Sequence, residues 1–105
     1  MKPAPFTYHD PKTAAEAADL LGRLESARVL AGGQSLMPMM NFRYVMPDHI
    51  VDINGITDLS YIRVSGGNLS FGAMTRQRDI EFSEEVKAAC PIITEALSWV
   101  GHRQT

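Results

Sequence analysis

One cysteine, Cys90, is all the sequence contains, which excludes an internal disulfide, a four-cysteine zinc site and an iron–sulfur cluster held by this chain alone. Set beside apolar residues and before Pro91, it reads as a small buried hydrophobe. Long apolar runs are missing too. Nothing approaches the roughly 20 apolar residues of a membrane-spanning helix, and Met1-Lys2-Pro3-Ala4-Pro5-Phe6 lacks the apolar centre of a signal peptide, so the expectation is a cytoplasmic protein. Charge of one sign is also scarce. The formal net charge is -2, and the basic residues are scattered with no aromatic platform between them, which argues against a nucleic-acid or anionic membrane surface.

The three histidines, His9, His49 and His102, show no i, i+4 spacing and have no acid or cysteine cluster nearby. They read as strand-end or surface residues, and no metal site is expected. No serine, cysteine or lysine carries an evident activating partner, and Asp52 and Asp58 do not form an acid–base pair in the pattern. No catalytic constellation of side chains is expected. There are no internal repeats and no low-complexity tracts.

What the 105 residues do hold is enough for one small domain or part of a larger one. A globule of that size buries roughly two-thirds of its unfolded surface. Pro5 to Tyr8 reads as a first strand, ended by Asp10-Pro11. Thr13 and Glu16 form a T-x-x-E capping box, and Ala17, Leu20, Leu21 and Leu24 recur at helical spacing, with the helix ending near Leu24 or Glu25. Val29-Leu30-Ala31 has the composition of a buried strand, and strand, helix and strand make a β-α-β unit with parallel strands. A short helix over Leu36–Phe42 and a third strand, His49-Ile50-Val51-Asp52-Ile53, complete it; Asn54-Gly55 ends that strand.

The character then changes. Leu59–Val64 and Leu69–Gly72 read as strands of a hairpin turning at Ser65-Gly66-Gly67-Asn68, with Ile62, Val64, Leu69 and Phe71 on its buried face. Thr75 is the expected N-cap of a turn of helix through Arg78 and Ile80, and Ser83 that of another, with Glu84 and Glu85 at its positive end. Pro91 interrupts this helix. Ile93, Ala96, Leu97 and Val100 give a last helical stripe closed at Gly101. The fold class expected is α/β in its first part and α+β overall, divided into residues 1–55 and 56–105.

The most informative stretch is Ala31-Gly32-Gly33-Gln34-Ser35-Leu36. Two glycines follow a strand, and Ser35 is placed to cap the helix that carries Leu36, Met39, Met40 and Arg43. Open amides and the helix dipole converge there, and glycines let a ligand approach the main chain. In open α/β sheets ligands bind at the carboxyl ends of strands. The spacing fits neither G-x-G-x-x-G nor a P-loop. From the residues alone this is either a tight turn or a phosphate-sized site of unassigned owner. Met37, Met39, Met40 and Met46 read as adaptable core filling rather than soft-metal ligands.

That stretch, extended through Met37-Pro38 with Asn41 and Arg43 behind it, resembles the first flavin motif of the FAD-binding subunit of molybdenum hydroxylases. The family includes the medium subunit of aerobic carbon monoxide dehydrogenase and the FAD domain of xanthine dehydrogenase. Phe6-Thr7-Tyr8-His9-Asp10-Pro11, His49-Ile50-Val51-Asp52-Ile53 and Gly72-Ala73-Met74-Thr75 match it in type, order and spacing, so the resemblance covers essentially the whole chain.

The resemblance implies a small three-strand N-terminal subdomain followed by the start of an antiparallel α+β subdomain of a PCMH-type FAD-binding domain, with FAD between the two. It makes Ala31, Gly32, Gly33, Gln34, Ser35 and Leu36 the first pyrophosphate loop and Gly72, Ala73 and Thr75 a further contact near the cofactor. The second glycine-rich loop of the family would lie beyond His102-Arg103-Gln104-Thr105, so the chain is expected to be an N-terminal fragment. In the family, electrons pass from a molybdopterin-bearing large subunit through [2Fe–2S] clusters on a small subunit to FAD, and then to an acceptor. The chain itself would hold only the flavin, and an unfinished sheet edge would favour self-association. Two other readings are a folding or interaction module without cofactor and a binder of another phosphate-containing nucleotide.

Overall fold

The computed structural model describes residues 1–101; His102 and the expected break at residues 102–105 lie outside the described residues. By its contacts the chain divides into a unit of residues Met1–Thr57 and a second that begins at Asp58.

The first unit is a three-stranded parallel sheet ordered β1-β3-β2. Strand β1 is Thr7–His9, β2 is Ala27–Leu30 and β3 is His49–Asp52. Both outer strands run parallel to β3, with Tyr8 and Arg28 opposite Ile50 and with His9 and Val29 opposite Val51. Ile50 and Val51 are the buried centre on both faces, as expected of a strand covered on either side. β1 and β2 each sit one residue or more from the limits expected, and Val29 is 42% exposed. The reason is position in the sheet: β2 is an edge strand, so its apolar run does not enjoy the double cover of β3.

Helix α1, Ala14–Arg23, links β1 to β2 and packs on β3. Its start is the expected capping box. Thr13 Oγ1 accepts from the Glu16 N–H at 3.1 Å, while the Glu16 carboxylate accepts from the Lys12 N–H at 3.1 Å, one residue before the cap. Ala17 faces the core, and Leu24 closes the helix in extended conformation. Helix α2, Leu36–Asn41, buries Met40 alone among its methionines. Met37 is half-buried, while Met39 and Met46 are exposed, which corrects the reading of Met39 and Met46 as core filling and leaves Met40 in the core: a turn and a half of helix buries little of its surface.

In the second unit, β4 is Ile62–Ser65 and β5 is Asn68–Phe71, an antiparallel pair. Gly66 and Gly67 have φ of 58° and 79°, the two positive angles that a two-residue hairpin matched to strand twist requires. The register sets Ile62 opposite Phe71 and Val64 opposite Leu69, which places all four on one face. Val64 is exposed and the other three are half-buried, so the face is only partly covered rather than buried as expected. Leu59 belongs to a 3₁₀ turn, Thr57–Leu59, not to the strand. Three helices follow: α3, Gln77–Glu81; α4, Glu84–Ala89; and α5, Pro91–Leu97. Ser83 Oγ accepts from the Val86 N–H at 3.1 Å and caps α4 as expected, and Val86 is fully buried. Cys90 is half-buried, and α5 stops at Leu97, short of Gly101.

Candidate functional site

Because all three strands of the first unit are parallel, their carboxyl ends share one edge of the sheet, and the chain leaves β2 there. Leu30 is the last strand residue and Leu36 the first of α2. Between them, Ala31, Gly32, Gln34 and Ser35 are exposed, while Gly33 and Leu36 are half-buried. Gly33 has φ of 77°. A Cβ there would lie 3.1 Å from Met37 Cγ and 3.3 Å from Leu30 Cδ1, whereas a Cβ on Gly32 would meet nothing within 4 Å. The two glycines therefore differ. Gly33 is dictated by the turn, and Gly32 keeps the outer side of the loop open.

The turn hands directly into α2. The Met37 N–H donates to the Gly33 carbonyl at 3.0 Å and the Met39 N–H to the Ser35 carbonyl at 3.3 Å. In the first turn of α2, therefore, the Met37 and Met39 amides are taken up by loop carbonyls and Pro38 carries no N–H, which leaves the loop residues themselves to present amides. Ser35 does not cap as expected. Its backbone is already helical, with φ of -103° and ψ of -45°, and its hydroxyl makes no capping bond. A hydroxyl reaches the N2 or N3 amide only from an extended N-cap residue.

The start of the loop is tied to the other two strands by side chains that sequence reasoning did not single out. At the end of β3, Asp52 Oδ1 accepts from the Asn54 N–H at 2.9 Å and from Asn54 Nδ2 at 2.7 Å. The same Nδ2 donates to the Ala31 carbonyl at 2.7 Å. The other carboxylate oxygen, Oδ2, accepts from the Tyr8 hydroxyl on β1. The Ile53 N–H donates to the Leu30 carbonyl at 3.0 Å, one residue before Ala31. Burial works to raise the Asp52 pKa, yet the bonds from Tyr8 and Asn54, with the Lys12 charge, hold it below the ordinary carboxylate value. The Tyr8 phenol is pushed up to about 12, first by its bond to that carboxylate and then by burial and by the charges of Asp52 and Asp10. The signal for this cluster was present as Asp52-x-Asn54, the pattern of an Asx turn, in which a carboxylate accepts from the amide two residues on.

The later candidates lie in the second unit. A Cβ on Gly72 would stand 2.1 Å from the Leu59 carbonyl oxygen, so close packing of two backbone segments requires glycine. The Gly72 N–H donates to the Tyr61 carbonyl at 3.0 Å and the Met74 N–H to the Leu59 carbonyl at 2.7 Å. Thr75 is not the cap of α3; Arg76 occupies that position. The Thr75 hydroxyl instead accepts from the Tyr61 N–H at 3.1 Å and donates to the Tyr61 carbonyl at 2.8 Å, stitching the loop to the residue before β4. Ala73 is exposed between them.

His9 and His49, 40 residues apart, come together: Nε2 of the first lies 3.0 Å from Nδ1 of the second. The parallel register brings neighbouring strands' side chains of one face into contact, which sequence spacing does not reveal. Among the described residues no group of three histidine, cysteine or acidic side chains is arranged to hold a metal ion. A cavity in the second unit lined by Arg76, Arg78, Asp79, Phe82, Leu97 and Val100 includes none of the candidate cofactor-binding residues.

Residues 4–105 match the family described as FAD binding domain in molybdopterin dehydrogenase, and the chain belongs to that family. It is 45% identical over 105 residues to the carbon monoxide dehydrogenase medium chain of Hydrogenophaga pseudoflava, covering 99% of this chain and 37% of that relative. The solved carbon monoxide dehydrogenase from the same organism, which lacks the Mo-pyranopterin moiety of the molybdenum cofactor, matches with a TM-score of 0.94, 45% identity and the same coverage of 99% and 37%. Quinoline 2-oxidoreductase from Pseudomonas putida 86 matches equally well in shape, with a TM-score of 0.94 at 36% identity over 99% of this chain and 36% of that one. The chain thus spans a little over a third of the relatives it matches. No helix among the described residues is long and apolar enough to cross a membrane.

Proposed function

We propose that this chain is the N-terminal part of the FAD-binding medium subunit of a molybdenum-containing hydroxylase or dehydrogenase, and that its glycine loop binds the FAD pyrophosphate. The observation that carries the reading is the family match over residues 4–105, joined to a loop whose Gly32 faces open space where a ligand must approach. The residues fit the group. Ala31, Gly32, Gly33, Gln34, Ser35 and Leu36 offer consecutive amides at the carboxyl edge of the sheet, and a pyrophosphate needs several convergent donors with no side chain in the way. The Ser35 hydroxyl, which does not cap α2, is the side-chain donor of the set.

Gly72, Ala73 and Thr75 complete the proposed contacts in a second part that begins near residue 56. There the contribution falls to the exposed Ala73, because the Gly72 and Thr75 amides donate to the Tyr61 and Gly72 carbonyls and the Thr75 hydroxyl is committed to Tyr61. When bound, FAD would supply the redox chemistry of electron transfer between [2Fe–2S] clusters on a small subunit and an acceptor, with the molybdopterin on a large subunit. What this chain's own residues do is bind and orient: the loop amides neutralise phosphate charge, and the open glycine admits it. The assembly is proposed to be cytoplasmic. The relatives act on chemically different molecules, carbon monoxide and quinoline by their names, so substrate choice is assigned to the large subunit.

Titration of the chain with FAD, followed by flavin fluorescence, tests the reading against a Gly33→Val variant. Saturable binding that the variant loses is expected. Absence of binding both to this chain and to one extended through the next glycine-rich loop would overturn it.

A further inference from the structure

The amide of Asn54 occupies an unusual place for a residue that ends a strand. Its Nδ2 donates both to Asp52 Oδ1 and to the Ala31 carbonyl, each at 2.7 Å, so one side chain joins the end of β3 to the first residue of the glycine loop. Asp52 is itself fixed by a different oxygen, which the Tyr8 hydroxyl of β1 holds. The result is a chain of hydrogen bonds running from β1 through β3 to the loop after β2. Tyr8 and Asn54 therefore act on separate oxygens of one carboxylate.

We propose that Asn54, oriented by Asp52, is a positioning residue that sets the glycine loop for its anionic ligand. The inference rests on the reading of that loop as a pyrophosphate site. The physical argument is one of preorganisation. Gly32 and Gly33 give the loop conformational freedom, and freedom must be lost when a ligand is bound. A hydrogen bond to the Ala31 carbonyl at the loop's entry removes part of that freedom beforehand. It also turns the Ala31 peptide so that its oxygen is occupied on the protein side, which favours presentation of the following N–H outward. A neutral amide suits the task. It reaches the carbonyl as a donor, and it places no second carboxylate beside the phosphates.

The test uses the full chain with four sequences: wild type, Asn54→Ala, Asn54→Asp and Tyr8→Phe. Two readouts are taken: loop exchange, read at the Met37 and Met39 amides that donate to the Gly33 and Ser35 carbonyls of the loop, and the dissociation constant for FAD, with ADP as a second probe. Asn54→Ala is expected to speed exchange in the loop while leaving β3 protected, and to weaken both ligands about ten-fold, the worth of one well-formed hydrogen bond. Asn54→Asp is expected to weaken them further, since it loses the donor and adds a like charge. Tyr8→Phe keeps both Asn54 bonds and is expected to lower thermal stability with less than a two-fold change in ligand affinity, a split that a merely structural role for Asn54 would not produce. Unchanged loop exchange in Asn54→Ala would overturn the proposal, as would equal loss of affinity in Tyr8→Phe. Faster loop exchange in Asn54→Ala, with neither ligand bound by wild type or by a chain extended through the next glycine-rich loop, would support the clamp and retire the pyrophosphate reading separately.

Discussion

Replacing the two loop glycines singly by alanine separates turn geometry from ligand access. At Gly33 the backbone has φ of 77°, where a non-glycine residue costs about 1–2 kcal/mol. The new Cβ would also stand 3.1 Å from Met37 Cγ and 3.3 Å from Leu30 Cδ1, so both side chains must yield by a few tenths of an ångström, at up to about 1 kcal/mol. Stiffening of the unfolded chain returns about 0.4–1 kcal/mol. The net expectation for Gly33→Ala is a destabilisation of about 1–2 kcal/mol. At roughly 4–8 °C per kcal/mol for a domain of this size, the midpoint should fall by about 5–15 °C. Gly32→Ala meets no atom within 4 Å and has no positive φ among the described residues, so its stability should change by less than about 0.5 kcal/mol. Its methyl group, however, projects into the space that a phosphate would enter, and FAD affinity should fall at least about ten-fold. Thermal unfolding by circular dichroism and flavin titration decide the matter together. Equal destabilisation by both substitutions, or full affinity in Gly32→Ala, would refute the reasoning.

Gly72→Ala should cost more than about 3 kcal/mol, because its Cβ would lie 2.1 Å from the Leu59 carbonyl oxygen and only backbone movement can relieve that; denaturant unfolding measures it, and a loss below about 1 kcal/mol would contradict the packing. Thr75→Val leaves the Tyr61 N–H and carbonyl without their shared hydroxyl and should destabilise by about 1–3 kcal/mol, whereas a helix-capping role would predict fraying of α3 alone. The Tyr8–Asp52 pair gives two pH limits. Asp52 has a folded pKa below its ordinary value, so its contribution is complete above about pH 4 and is lost as pH falls through the folded value. Tyr8 is raised to about 12, so its contribution is complete below about pH 10 and is lost as pH climbs towards 12. Phenolate absorbance and stability followed across both ranges should lose their Tyr8-dependent part in Tyr8→Phe.

The elements written locally in the sequence are the ones that could be read there. Thr13 with Glu16, Ser83 before Glu84, and the Gly66-Gly67 pair each specify a cap or turn within a few residues, and each forms as its chemistry demands. Thr75 looked like a cap by the same local rule but found a better partner in the Tyr61 backbone, 14 residues earlier. Ser35 failed as a cap because the Gly33 turn had already committed it to helical angles. The glycine loop itself was legible from strand, glycine pair and helix in succession. Its fastening was not, since Asn54 meets the Ala31 carbonyl across 23 residues and only the parallel register brings them together. The His9–His49 contact was hidden for the same reason. Exposure at the sheet edge, as at Val29, depends on strand order, which local composition does not encode.

The central claim is that the amides of residues 31–36 are the pyrophosphate site. Amide chemical shifts of the ¹⁵N-labelled chain, followed during titration with FAD and separately with ADP, test it most directly. The account predicts saturable shifts centred on Gly32, Gly33, Gln34 and Ser35, produced by both ligands and abolished in Gly33→Val. Binding whose shifts leave those four amides unmoved would contradict it.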